Sequence, residues 1–600
     1  IFQEPMTSFG PLNTIGDQII ETILVHNPKL SKTEARERTI TLLDRVGIPN
    51  AAMRIDSYPH EFSGGMRQRA MIAMALSCSP TMLIADEPTT SLDVTIEAQI
   101  LELLVELQES SGMAIMLISH NLAVVSEMAD EIAVMYLGKR VEFGSNEQIS
   151  RNPLHPYTRG LWNSIPVVDG PLQRLKPIPG IVPSARNLPQ GCVFASRCAH
   201  FMPGLCNAPQ PVPNVEAEPG HFVSCYLYTD EGKAYTSPTG TAVVIDQPEA
   251  SASVPMLEKT HEPILEVRNL KQFFPIQKGF LRRTVAYVKA VNEVSLTIHK
   301  GETLGLVGES GCGKSTLGRS ILRLYEPTEG EVTLYDAGNK FSVLSLDRRE
   351  MRQVRKTVQM IFQDPFASLN DRMTVLQNVI EPLVCNNIGT PDEREAIAEK
   401  MLTQVGLRKE HLRRYPHSFS GGQRQRIGIA RALSIGPKFI VADEPVSALD
   451  VSVQAQILNL MRDLQAEFGL SYLFISHDMA VIRYMADHIA VMYVGKQVEY
   501  AATNELLTHP LHPYTEALMS AVPRVTTHER RERIVLQGSP PDPSNLPHGC
   551  VFQNRCRYAQ PKCREEEPEL SEVRPGHFAA CHFAKDLNLD GIHMREAPTH

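Results

Sequence analysis

Short apolar runs, each ended by a glycine or an acid, organise this chain. Glu302-Thr303-Leu304-Gly305-Leu306-Val307 reads as a buried strand, and Leu317, Ile321, Leu322 and Leu324 trace a helix after it. Phe439-Ile440-Val441-Ala442 is a second apolar strand and ends in Asp443-Glu444. Tyr472-Leu473-Phe474-Ile475 is a third and delivers Ser476-His477. Met82-Leu83-Ile84-Ala85 likewise runs into Asp86-Glu87, and a helix is expected from Met66 to Leu76. No stretch approaches the ~18 uninterrupted apolar residues that a membrane span needs.

These runs occur twice. Phe62-Ser63-Gly64-Gly65 returns as Phe419-Ser420-Gly421-Gly422, Ala85-Asp86-Glu87-Pro88 as Ala442-Asp443-Glu444-Pro445, and Ile118-Ser119-His120 as Ile475-Ser476-His477. Leu154-His155-Pro156-Tyr157-Thr158 returns as Leu511-His512-Pro513-Tyr514-Thr515, and all four pairs keep one spacing. Ile1-Phe2-Gln3-Glu4-Pro5 matches Ile361-Phe362-Gln363-Asp364-Pro365 at nearly that spacing. A repeat this long is a duplicated domain, not a solenoid. Between the copies, from about 228 to 262, Thr, Ser, Pro, Gly and Ala dominate, which suits a flexible linker.

Composition changes the picture only a little. With 600 residues, 42% hydrophobic and 21% charged, the chain has material for several cores, about four domains by length. A net charge of -9 argues against retention on nucleic acid by overall charge.

The candidate chemistry is phosphate handling. Gly308-Glu309-Ser310-Gly311-Cys312-Gly313-Lys314-Ser315-Thr316 follows a strand and opens a helix, the context that a G-x-x-x-x-G-K-[ST] loop requires. Its glycines let backbone N–H groups face phosphates, Lys314 meets the β/γ-phosphates and the Ser315 hydroxyl binds Mg²⁺. Asp443 at its strand end can hold the same ion, and Glu444 can polarise an attacking water.

At this point the sequence resembles the ABC ATPases. Phe419-Ser420-Gly421-Gly422-Gln423 resembles their signature motif, Ser447-Ala448-Leu449-Asp450 their D-loop, Gln363 their Q-loop and His477 their switch histidine. The first copy matches with Gln3, Phe62-Ser63-Gly64-Gly65-Met66, Asp86-Glu87, Ser91-Leu92-Asp93 and His120, departing at Met66 where Gln is usual. The resemblance implies an α/β fold of two tandem P-loop domains, each a RecA-like core with a helical signature subdomain. It implies that ATP binds between one copy's phosphate loop and the other's signature. Lys314, Ser315, Gln363, Asp443, Glu444 and His477 would face Ser63, Gly64 and Gly65. Ser420, Gly421 and Gly422 would face Gln3, Asp86, Glu87 and His120. Glu444, His477, Glu87 and His120 are the expected catalytic residues. Phe274 is the expected adenine-stacking ring, with a plain strand Phe as its alternative. Lys314 precedes Gln363 by 49 positions, so the first copy's phosphate loop is expected before Ile1, in a chain truncated at its N-terminus.

Eight of the 11 cysteines form two quartets, Cys192, Cys198, Cys206, Cys225 and Cys550, Cys556, Cys563, Cys581. Cys78, Cys312 and Cys385 read as packing or loop residues. Four thiolates in a compact loop suit a metal centre. Disulfides are the alternative, disfavoured in a reducing cytosol. Zinc is another, although neither quartet has the close C-x2-C pairs of most zinc sites. The quartets resemble the C-terminal extension of oligopeptide, dipeptide and nickel importer ATPases, which implies a [4Fe–4S] cluster in each. The His-Pro-Tyr-Thr motifs, read physically as Pro-set turns before helices, point to the same subgroup.

The expected organisation is a first ATPase domain at 1–150, a Cys-rich extension at 151–227, a linker at 228–262, a second ATPase domain at 263–508 and a second extension at 509–600. The resemblance implies an ATP- and Mg²⁺-dependent subunit that energises uptake of peptides, glutathione or nickel. It would sit on the cytoplasmic face of a bacterial inner membrane. Two transmembrane permease subunits, moved through surfaces next to Gln3 and Gln363, would be its partners, and a periplasmic solute-binding protein would act indirectly. The alternative is a soluble twin ATPase acting on ribosomes or DNA.

Overall fold

The computed structural model describes residues 1–4, 8–90, 92–183, 186–235, 260–279, 283–522 and 533–592. Two compact units form, and each borrows a segment from the other copy's sequence. The first comprises Ile1–Asn163, Ile178–Glu249 and Pro523–Gly538; the second comprises Ser164–Pro177, Ala250–Val522 and Ser539–His600.

The second unit is built on eight strands: β9 (Thr303–Val307), β12 (Val358–Ile361), β13 (Phe439–Asp443), β14 (Ser471–Ile475), β15 (His488–Tyr493), β16 (Lys496–Ala502), β17 (Ser571–Arg574) and β18 (His577–Ala579). Their order is β12-β13-β14-β9-β15-β16-β18-β17, parallel from β12 to β15 and antiparallel beyond. β9, β13 and β14 are buried at every position, as parallel strands covered on both faces must be. Gly305 lies in β9 because a Cβ there would come within 2.8 Å of Ile482 and 2.9 Å of Ala486. A four-stranded antiparallel sheet, with the long hairpin β7 (Pro263–Lys278) and β8 (Arg283–His299), packs over this core. The helices Val375–Cys385, Pro391–Gln404 and Gly421–Leu433 form a helical layer. β17 and β18 extend the ATPase sheet through β16, so the second Cys-bearing region is continuous with it.

In the first unit the corresponding strands make two separate sheets. β1 (Met82–Asp86) and β2 (Ala114–Ile118) pair in parallel; β3 (Glu131–Tyr136), β4 (Lys139–Ser145), β6 (His221–Val223) and β5 (Val215–Glu218) pair antiparallel in that order. Helices Ile15–His26, Lys32–Arg45 and Gly64–Leu76 enclose a core that includes Ile15, Ile19, Leu43, Ile72 and Leu104.

The borrowed segments are fastened by polar bonds. In the second unit Arg174 grips Asp463 with two bonds of 2.7 and 2.6 Å. In the first, Gln99 Nε2 donates to the Leu536 carbonyl at 2.6 Å and Arg533 pairs with Glu127. The expected linker begins as ordered chain, a turn at Tyr226–Tyr228 and a short helix at Asp230–Lys233; its residues 236–259 lie outside the described ones. No helix among the described residues is long and apolar enough to cross a membrane.

Candidate functional site: a nucleotide site and two cysteine clusters

β9 delivers the phosphate loop to the start of helix Lys314–Ile321. Gly308 and Gly313 have φ of 150° and 105°, and a Cβ on either would strike a carbonyl, Met492 O at 2.1 Å or Ala290 O at 2.0 Å. Only glycine allows the loop to wrap this tightly. Lys314 is buried and turned back on the loop, donating to the carbonyls of Gly308 at 2.6 Å and Glu309 at 2.9 Å.

Ser315 Oγ donates to Asp443 Oδ1 at 2.7 Å. Asp443 is fully buried, and its Oδ2 has no hydrogen-bond partner; Arg319 approaches to 3.6 Å. Burial raises the Asp443 pKa, with the Ser315 bond and Arg319 opposing. A buried carboxylate oxygen left unpaired beside a serine hydroxyl fits an Mg²⁺ ligand pair.

Glu444 follows β13 with φ of 45°, an uncommon conformation for a residue with a side chain. This aims its carboxylate back at two partners, Gln363 Nε2 at 2.8 Å and His477 Nδ1 at 3.3 Å. Burial alone would raise the Glu444 pKa, but the His477 bond and charge, with Lys314 and Gln363, outweigh it and hold the carboxyl low. Burial would lower the His477 pKa, but Glu444 outweighs it and raises it. The first unit repeats this cluster. Glu87 has φ of 46° and meets Gln3 at 2.7 Å, His120 at 3.1 Å and Thr90 at 2.8 Å. Asp86, in contrast with Asp443, is exposed.

Both signature serines cap helices. Ser420 Oγ accepts from Gln423 N–H at 3.4 Å, and Gln423 Oε1 accepts in return from Ser420 N–H at 3.1 Å. Ser63 accepts from Met66 N–H at 3.3 Å, and Met66 has no oxygen to complete the box. The N-terminal glycines leave the helix amides of Gly64–Leu76 and Gly421–Leu433 accessible to an anion. Asp93 caps helix Val94–Ser111, while Asp450 stands at the same place before Val451–Phe468 without a side-chain cap bond. Phe274 lies on β7, half-buried, its ring edge-on to Tyr325 at 5.5 Å. The residues flanking it are the arms of the β7–β8 hairpin, on which Tyr287 is exposed.

The His-Pro-Tyr motifs open helices, and their histidines cap them: His155 Nδ1 accepts from Tyr157 N–H at 3.0 Å and His512 Nδ1 from Tyr514 N–H at 3.1 Å. Burial pushes both histidines down to about 3, so their rings are neutral.

All eight quartet cysteines are free thiols. Cys550, Cys556, Cys563 and Cys581 line one pocket with Phe552 and Phe583. In the first unit Cys225 interacts electrostatically with Cys198, Cys192 and Cys206. Backbone N–H groups two residues downstream point at the sulfurs of Cys192, Cys198 and Cys225, and likewise of Cys550, Cys556 and Cys581. Burial still pushes Cys198, Cys225 and Cys556 up to about 12. Among the described residues no group of three or more His, Cys, Asp or Glu side chains is arranged to hold a metal ion. Cys550, Cys556, Cys563 and Cys581 thus surround a pocket and not a single ion position.

Sequence reasoning missed two groups at the phosphate loop. Tyr514 Oη accepts the Glu309 N–H at 2.8 Å, and Arg555 forks onto the Glu309 carboxylate at 2.8 and 3.0 Å. The available signal was the Arg-Cys pair at 555–556, repeated at 197–198.

The family model described as "ABC transporter" matches residues 1–90 and 291–447. That described as "Oligopeptide/dipeptide transporter, C-terminal region" matches 141–206 and 498–563. The glutathione import ATP-binding protein GsiA of Pectobacterium atrosepticum is 44% identical over 90% of this chain and 77% of its own length. The proteins of that name from Salmonella choleraesuis and Escherichia coli K12 are 43% and 44% identical over 97% of this chain and 81% of theirs.

The chain belongs to the ABC transporter ATP-binding proteins. It is an ABC-type ATPase with the family's ATPase sequence present twice, each copy followed by the oligopeptide/dipeptide-type C-terminal region. The ribosome- or DNA-acting alternative finds no support in these matches.

Proposed function

We propose that this protein energises uptake of glutathione or related peptides through an ABC importer, working with two permease subunits at the cytoplasmic face of the membrane and, indirectly, with a solute-binding protein. The observation that carries this reading is the match to glutathione import ATP-binding proteins across both the ATPase and the C-terminal regions. Which peptide or metal is carried depends on the permease and binding protein.

In this reading Lys314 meets the β/γ-phosphates, and backbone amides of 308–316 cradle them. Ser315, Asp443 and Gln363 would hold Mg²⁺, which supplies neutralisation of the phosphate charge. Glu444, held ionised and oriented by His477 and Gln363, accepts a proton from the attacking water. Asp86, Glu87, Gln3 and His120 take the same parts in the first copy. Ser63, Gly64 and Gly65, and Ser420, Gly421 and Gly422, offer helix N-termini to the γ-phosphate of an ATP held by the opposite copy. Asp93 and Asp450 border these helices. Phe274, with Tyr287 across the hairpin, supplies the adenine contact.

The cysteine quartets are proposed to hold [4Fe–4S] clusters, with zinc the other occupant to test. The free thiols, their mutual facing and the N–H groups aimed at their sulfurs fit cluster ligation. Buried thiols of raised pKa become thiolates only with a positive centre beside them. Anaerobic reconstitution followed by iron and acid-labile sulfide assay tests this; stoichiometric zinc without iron would overturn it.

Uptake of radiolabelled glutathione by cells expressing the protein with its neighbouring permease and binding-protein genes tests the transport reading. Uptake should vanish with Glu444→Gln. Full uptake with that variant, or none with the wild type for glutathione or any peptide, would refute it.

A further inference from the structure

The most unusual feature outside the expected motifs is a buried ion pair that ties the cysteine-bearing region to the phosphate loop. Glu309 and Arg555 are each almost fully buried, and the two bonds between them form a planar fork. Glu309 is the residue after the first loop glycine; Arg555 immediately precedes Cys556. Arg555 also reaches Tyr493 Oη at 3.3 Å, within an aromatic cluster of Tyr493, Tyr514 and Phe552 whose ring centroids lie 4.7 to 5.5 Å apart. Tyr514 closes the circuit by accepting the Glu309 amide.

The first unit repeats the surroundings of Arg555. Tyr136, Tyr157 and Phe194 repeat the cluster at 4.7, 5.3 and 5.5 Å. Arg197 occupies the place of Arg555 and donates to the carbonyls of Pro179 at 2.9 Å and Ile178 at 3.3 Å and to Tyr136 Oη at 3.3 Å. In the second unit Arg555 spends both terminal nitrogens on Glu309, and its Nε is left without a partner.

A buried carboxylate in a loop made to receive phosphates is otherwise a liability, because its charge opposes the ligand's at short range. We infer that Arg555 is a positioning residue for ATP: through Glu309 it cancels that charge and fixes the loop's entry. Nucleotide affinity at this site is thereby set by the folding of the cysteine-bearing region. Arg555 touches neither Glu444 nor His477, so its effect falls on binding. The inference rests on the ATPase assignment, not on the transported solute.

The test is ATP affinity of the full chain, read with a fluorescent ATP analogue at fixed salt, with the melting temperature without nucleotide as fold control. Arg555→Met should weaken binding about tenfold or more, since it strands a buried carboxylate. Adding Glu309→Gln should return the affinity to within about threefold of wild type, because the repelling charge is gone. Arg555→Lys should fall between, keeping the charge but losing the fork. A folded Arg555→Met that binds ATP like wild type, or a double variant as weak as Arg555→Met, would overturn the inference. If Arg555→Met does not fold, Arg555→Lys decides. About threefold weaker binding and faster hydrogen exchange at the loop amides are then expected. Wild-type values for both would overturn it.

Discussion

The two copies carry corresponding strands, and the described residues enclose them to different degrees. In the second unit β13 and β14 are buried along their whole length, because β9 lies beside β14 and β7, β8 and their neighbours cover the sheet. In the first unit their counterparts β1 and β2 stand as a two-stranded pair, with Ile84 at 52% and Ile118 at 41% exposure. β9 is the strand that joins the β12–β14 group to the β15–β18 group, and the sheet of the first unit divides where its counterpart would run. The catalytic cluster does not follow this difference. Gln3, Glu87 and His120 meet as Gln363, Glu444 and His477 do, with the same positive φ at the glutamate. Site geometry here rests on strand ends and one pair of parallel strands, which both units share.

The sharpest way to break the comparison is catalytic. Glu444→Gln should slow ATP turnover of this chain by about 10²–10⁴-fold, the range for a general base. Glu87→Gln should also slow turnover, because Gln3 and His120 hold Glu87 as Gln363 and His477 hold Glu444. Steady-state ATPase assays decide, and an unchanged rate in either variant would refute the role given to its glutamate.

Packing comes next. Ile475→Ala in β14 should destabilise by about 2–5 kcal/mol in denaturant melts. Its counterpart Ile118→Ala should cost about 1 kcal/mol or less. Similar costs would mean that β2 is as enclosed as β14.

The capping histidines should behave alike. Each has its folded-state pKa depressed to about 3 by burial, from the ordinary histidine value of about 6.5. The unfolded chain therefore takes up the proton first. Stability present above the unfolded value is lost as pH falls from about 6.5 toward 3, about 2 kcal/mol per histidine by pH 5. Replacing His155 or His512 with Asn should flatten the pH dependence equally in the two copies, measured by melts at pH 7 and 5. The Glu444–His477 pair adds a second dependence: its carboxylate contribution is lost on acidification and its histidine contribution as pH rises through the raised His477 value.

The smallest effect is local. Met66→Gln should stabilise the first unit by about 0.5–1 kcal/mol by completing the capping box that Ser420 and Gln423 already make. Gln423→Met should cost as much.

Much of this was legible along the chain. The phosphate loop, both signature serines, Asp443, Glu444 and His477 sit where apolar runs stop, and position in sequence fixes position at a strand or helix end. The His-Pro-Tyr turns were legible as Pro-set helix starts, but not the capping by His155 and His512. The limits were equally physical. No periodicity reports that Glu444 adopts positive φ, or that residues 164–177 leave their own copy for the second unit. The cysteine spacing showed two quartets but not that the free thiols would surround a pocket without converging on one ion position.

Local order thus determined the duplicated ATPase plan and almost every group expected to touch ATP, because those groups are carried by contiguous motifs whose backbone shape is set by neighbours in sequence. Only the tertiary structure decided which strands are enclosed, which arginine answers Glu309, and that the cysteine-bearing region reaches the nucleotide loop. Those are contacts between residues up to 246 positions apart, made by burial and charge pairing that no local pattern encodes.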